Sequence, residues 1–151
     1  MNYRSFDSFL SQTEVKLKLQ TQKITVTGIG TQGHWNLEFP KIEQLETTIK
    51  EFGKLGKVMV TELDIDVLPS PNGFSGAEIT ANFELQEKLN PYKKGLPEEI
   101  QKQQANRYSE IFKTFLKYKK NISRVTFWGV TDGDSWKNNF PVRGRTNYPL
   151  L

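Results

Sequence analysis

Three β-branched runs, separated by two amphipathic helical patterns, leave this chain few ways to fold. Lys23 to Gly30 (KITVTGIG) and Lys57 to Ile65 (KVMVTELDI) read as strands, and Arg124 to Val130 (RVTFWGV) has the same bulky character before a polar, Gly-containing loop. Between the first two, Pro40 to Phe52 sets Ile42, Leu45, Ile49 and Phe52 at helical spacing, with Pro near the first turn and Gly53 and Gly56 as stop signals. Between the second and third, Pro97 to Lys120 carries the stripe Ile100, Tyr108, Ile111, Phe112, Phe115 and Leu116. The order strand, helix, strand, helix, strand predicts an α/β fold with parallel pairing through right-handed crossovers.

Two stretches fit this order less well. Leu68 to Leu96 is a long connection that opens on Pro69-Ser70-Pro71-Asn72-Gly73 and is expected to mix loop with short helical pieces around Ala81 to Leu89. Long loops after strands usually serve the functional face of such folds. In residues 1–22, Val15, Leu17 and Leu19 alternate with polar neighbours at strand period where the pattern calls for a helix, so both readings stay open.

Composition narrows the chemistry. No run approaches the roughly 20 apolar residues of a membrane span, and Met1 to Leu10 has no continuous apolar segment of the signal-peptide kind, so no membrane partner is expected and localisation stays open. Zero Cys excludes disulfides and thiolate nucleophiles, and a single His excludes multi-His metal sites, so neither a metal nor a cofactor is expected. The formal charge of +4 raises the question of nucleic acid. Much of the basic excess sits at Lys113, Lys117, Lys119 and Lys120, near the end of a helical pattern that begins with Glu98 and Glu99. That layout complements the helix dipole, and it is read as a solvated face with no nucleic-acid partner.

The residues suited to chemistry gather at strand ends. In KVMVTELDID, Glu62, Asp64 and Asp66 stand two apart, so their side chains share one face at the end of a strand. Taken alone this is either a solvated strand end or a cluster of carboxylates with separated pKa values. The first strand leads into Gly28-Ile29-Gly30-Thr31-Gln32-Gly33-His34-Trp35, which puts the one His just past its end, either as a structural group or as a partner for those acids. The third leads into Trp128-Gly129-Val130-Thr131-Asp132-Gly133-Asp134-Ser135-Trp136, with two Trp residues among acids. Aromatic faces suit the C–H faces of pyranose rings, and Asp, Asn, Gln and Arg suit their hydroxyls.

GIGTQGHW, VMVTELDIDVLP and VTFWGVTDGDSW, in this order and spacing, resemble the last three strand ends of the glycoside hydrolase family 10 endo-1,4-β-xylanases. The resemblance runs from about Thr27 to Leu151 and is most specific in the TELD and FWG…DSW segments. It implies a partial (β/α)8 (TIM) barrel: about the last three to four βα units, with parallel strands and helices on the outside. A complete barrel takes about 250 residues, so 151 is expected to supply one C-terminal part-barrel over residues 1–151, with residues 1–22 poorly matched.

The resemblance also implies roles. Glu62 corresponds to the catalytic nucleophile, and His34 with Asp64 to the network that tunes it. Gln32 matches a Gln beside the acid/base side of the site, and Trp128 and Trp136 match the tryptophans lining the sugar subsites. The implied reaction is retaining hydrolysis, in which a second carboxyl about 5–5.5 Å from the nucleophile acts first as acid and then as base. That Glu belongs to an Asn-Glu motif on an earlier strand, which nothing before Thr27 resembles; Glu38, Asp132 and Asp134 are loop acids that could stand in only exceptionally, and Asp132 and Asp134 are expected to brace the last loop.

A part-barrel exposes unpaired strand edges and an apolar face. The resemblance implies xylan or xylo-oligosaccharides as substrate, and the open edges lead to the expectation of a second copy of the chain or a complementary half-barrel chain as partner. The implied family is usually secreted. The alternative reading is a catalytically incomplete xylo-oligosaccharide-binding fragment.

Overall fold

The computed structural model describes residues 18–19, 21–72 and 80–150, which fall into two compact units. Most of residues 1–22, whose reading was left open above, lies outside the described residues; within it, residues 18, 19 and 21 are helical. Among the described residues no helix is long and apolar enough to cross a membrane.

The first unit comprises residues up to Gly33, Pro40–Leu63 and Glu110–Thr126. Strand β1 (Gly28–Thr31) pairs in parallel with the start of β3 (Lys57–Asp66), Gly28 opposite Lys57 and Thr31 opposite Val60. Helix α1 (Ile42–Leu55) connects them. Its start follows from Pro40 and from the Lys41 N–H, which donates to Gln44 Oε1 at 2.9 Å. Leu45, Ile49 and Phe52, at spacings of four and three, are its buried face. The helix stops at Gly56, where a Cβ would stand 2.7 Å from the Thr27 carbonyl oxygen, so only glycine lets the two segments pass so closely.

Strand β4 (Ile122–Phe127) pairs with β3, and Ser123 Oγ donates to the Val58 carbonyl at 3.3 Å. The later turns of α2 (Glu98–Lys117) belong to this unit, where Ile111 and Phe115 are buried. On its surface Lys117 Nζ and the Tyr118 hydroxyl both donate to the Glu46 carboxylate, at 2.6 and 2.9 Å, tying the end of α2 to α1. Those donors hold the Glu46 carboxyl below its ordinary value.

The second unit comprises His34–Phe39, Asp64–Ser109 and Phe127–Leu151. Strand β2 (His34–Asn36) pairs in parallel with the end of β3, His34 opposite Asp64 and Asn36 opposite Asp66. Ile65, Val67, Leu68, Leu89, Tyr108 and Val142 are among its buried apolar side chains. Hydrogen bonds from far along the chain hold the tail: the Ile65 N–H donates to the Pro149 carbonyl, as does the Tyr108 hydroxyl, and Leu150 N–H donates to Asp132 Oδ1 at 3.0 Å. Burial pushes the Tyr108 phenol well above its ordinary value.

The predicted α/β order is therefore present, with shifted edges. The first strand begins at Gly28 rather than Lys23: Lys23 has φ 62 and residues 24–27 have no regular structure, because β-branched residues make a strand only where a partner strand is available. It stops at Thr31 and a separate strand begins at His34; Gly33 between them has φ 93, and a Cβ there would meet Val60 Cγ1 at 2.7 Å. The third strand ends at Phe127, before the predicted Val130. Among the described residues of the long connection, the helical piece is a 3-10 turn at Glu87–Leu89, and Phe83 forms an isolated parallel bridge with Val142.

Candidate active site

Register builds the central pair of the second unit. Directly opposite residues on neighbouring strands project to the same face, and His34 lies opposite Asp64, so its Nδ1 meets Asp64 Oδ1 at 3.0 Å. The other oxygen, Oδ2, accepts from Trp136 Nε1 at 2.8 Å. An indole N–H can only donate, so Asp64, 1% exposed, has two oxygens occupied by two side chains 30 and 72 residues away. The same contact sets the orientation of the imidazole, whose Nδ1 edge faces the Asp64 carboxylate.

The aromatics close around this pair. The His34 and Trp136 ring centroids are 4.8 Å apart, and Trp128 meets His34 edge-on at 6.3 Å. Phe140 stacks on Trp136 at 5.4 Å with 19° between the planes. Trp128 is 45% exposed and offers the more open ring surface. The structure thus brings together His34, Asp64, Trp128 and Trp136, four residues singled out in the sequence.

Glu62 and Gln32 lie in the first unit. Glu62 is half-buried on β3, and its N–H donates to the Gln32 carbonyl at 2.7 Å; the Gln32 residue is exposed. Of the loop acids, Asp134 Oδ2 accepts from the Thr131 hydroxyl at 2.9 Å and Asp132 Oδ1 accepts from Leu150 N–H, so both brace the last loop. Glu38 is exposed, its N–H bonded to Asn36 Oδ1. Among the described residues no group of three or more His, Cys, Asp or Glu side chains is placed to hold a metal ion.

Two supporting polar residues, Asn138 and Arg145, had no signal in the sequence. Asn138 Oδ1 accepts from Asn147 N–H at 2.7 Å, and the buried Arg145 donates to the carbonyls of Pro69, Lys137 and Phe140 at 3.2 to 3.3 Å. Asp66 is buried, and desolvation pushes its carboxyl above the ordinary value against the opposing pull of Lys137.

The family model described as "Glycosyl hydrolase family 10" matches residues 11–151. This chain belongs to glycosyl hydrolase family 10. The family 10 fold is a (β/α)8 barrel, and this chain is a partial parallel sheet with helices, a part of that barrel. Over 135 residues it is 44% identical to endo-1,4-beta-xylanase A of Xylanibacter ruminicola, covering 89% of this chain and 37% of that protein. It is 40% identical to a beta-1,4-xylanase of Dictyoglomus thermophilum, covering 89% of this chain and 34% of that one. Among solved structures, a GH10 endoxylanase from a sugarcane soil metagenome superposes with a TM-score of 0.84 at 40% identity, over 89% of this chain and 39% of the other. The family 10 chain described here therefore spans less than two fifths of the length of these relatives.

Proposed function

We propose that this chain supplies the nucleophile-bearing part of a retaining endo-1,4-β-xylanase. The observation that carries the reading is the buried Asp64, held between the His34 imidazole and the Trp136 indole, within a family 10 chain whose relatives are named xylanases. In this reading Glu62 attacks the anomeric carbon of a xylosyl unit as the leaving oxygen takes a proton, giving a covalent xylosyl-enzyme. Water, deprotonated by the same acid/base group, then releases the sugar with retained configuration. His34 and Asp64 tune the ionisation of Glu62, Gln32 lies on the acid/base side, and the Trp128 and Trp136 rings line the sugar subsites. The acid/base carboxyl comes from a second copy of the chain or from a complementary half-barrel chain. Xylan or a xylo-oligosaccharide is the substrate.

Aryl xylosides with good leaving groups test this directly, since such leaving groups need little acid assistance. The chain alone is expected to release the activated aryl group and to lose that activity in Glu62→Ala; xylan left uncut would assign the acid/base carboxyl to a complementary chain, and xylan cleaved would assign it to a second copy. The second reading, a xylo-oligosaccharide-binding fragment, is favoured by the open Trp128 ring. Binding of xylo-oligosaccharides without turnover of either substrate would select it.

A further inference from the structure

Asp64 and Asp66 stand two apart on β3 and share a strand face. Trp136 and Lys137 are consecutive, and each answers to one of those acids. The indole N–H donates to Asp64 Oδ2 at 2.8 Å, and Lys137 Nζ stands 3.6 Å from Asp66 Oδ2. Lys137 Nζ is also 4.5 Å from the centroid of the Trp136 ring, within cation–π range. The pair is nearly sealed from solvent, with side chains 13% and 10% exposed. Arg145, donating to the Lys137 and Phe140 carbonyls, fixes the backbone on which the cation and the stacked Phe140 ring are mounted.

A desolvated ion pair adds little net stability, because removing two charges from water offsets most of their attraction, and its best-attested use is to fix one arrangement against others. The arrangement fixed here is that of the indole. We propose that Lys137 is a positioning residue: anchored on Asp66, its ammonium sets the pitch of the Trp136 ring and so keeps the indole N–H on Asp64. The link is indirect, from Asp66 to Lys137 to the ring to Asp64 and on to His34. Its consequence for sugar binding rests on the xylanase reading above; the placement of the ring does not.

The test is therefore spectroscopic and needs no turnover. The chain has three Trp residues, so the indole N–H of Trp136 is assigned in a ¹H–¹⁵N spectrum by its disappearance in Trp136→Phe. Lys137→Met keeps the length and apolar stem without the charge. It is expected to shift the Trp136 indole resonance and to speed its exchange with solvent by about tenfold or more, with Trp35 unmoved. Lys137→Arg, which restores a cation able to pair with a carboxylate and lie over a ring, is expected to restore both. An unchanged resonance and exchange rate in Lys137→Met would overturn the proposal. If Lys137→Met does not fold, Asp66→Asn breaks the same pair from the other side while keeping an oxygen for the Leu68 N–H; a Trp136 indole unaffected there would overturn it equally. Failure of the aryl xyloside experiment, by contrast, would leave these spectra as expected.

Discussion

Strand β3 changes character along its length, and the two halves show two ways of burying a strand. From Val58 to Val60 it alternates, with Val58 and Val60 buried and Met59 half-buried, as a strand with one covered face does. From Leu63 to Leu68 every residue is buried, including Asp64 and Asp66. The first half needs only an apolar surrounding, and Leu45, Ile49 and Phe52 are buried in the same unit. The second needs hydrogen-bond donors for its acids, since a buried carboxylate without them is costly: Asp66 takes the Leu68 N–H two residues on, while Asp64 recruits side chains 30 and 72 positions away. The apolar half is set by volume and the polar half by the direction of individual bonds.

Substitutions should separate these two regimes. The largest expected loss is Phe52→Ala in the first unit, about 3–5 kcal/mol from lost burial and the cavity left behind, read by chemical denaturation. A loss under about 1 kcal/mol would mean that this face is not the packed one. Next comes Asp64→Ala in the second unit, which leaves the Trp136 and His34 donors unmatched, at about 1–3 kcal/mol for each donor that stays buried. Asp64→Leu should do no better despite its larger apolar volume; if it restored stability, burial rather than bond direction would govern this half too. Tyr108→Phe, which removes only the hydroxyl bound to the Pro149 carbonyl, should cost about 1 kcal/mol.

The smallest effect belongs to the surface. The folded-state pKa of Glu46 lies below its ordinary 4.5, so its contribution is fully present above about pH 4.5 and is lost as pH falls through the lowered folded value. Glu46→Gln should flatten the acid limb of the stability profile slightly and leave neutral pH almost untouched. A pronounced loss at neutral pH would show that Lys117 and Tyr118 do more than a surface pair usually does.

The two regimes also explain how much of the molecule is legible in its sequence. The apolar half writes itself in periodicity: Ile42, Leu45, Ile49 and Phe52 predict α1, which spans Ile42–Leu55, and KVMVTELDI predicts β3 to within one residue. The start of the first strand is not legible: Ile24 to Thr27 has strand propensity, yet among the described residues the paired register begins only at Gly28. The site is legible in part. Two-residue spacing puts Asp64 and Asp66 on one face, while the partnership of Asp64 with His34 and Trp136 depends on register and on a loop, which no local pattern encodes. The motif resemblance picks out these residues and implies the His34–Asp64 hydrogen bond, while the bond from the Trp136 indole to Asp64 comes from the fold. Lys137 illustrates the remainder: beside Trp136 in sequence it is one more surface cation, and only the loop path turns it toward Asp66.

The central proposal is that Glu62 is the nucleophile, and the most direct measurement is to trap it. An activated 2-deoxy-2-fluoro xylosyl donor slows hydrolysis of the covalent intermediate and needs little acid to leave, so it probes the nucleophile even where the acid/base carboxyl is supplied by another chain. Intact-mass and peptide mass spectrometry should find one xylosyl adduct per chain, on the peptide containing Glu62, and none in Glu62→Gln. An adduct on Glu38, Asp132 or Asp134, or one that persists in Glu62→Gln, would contradict it.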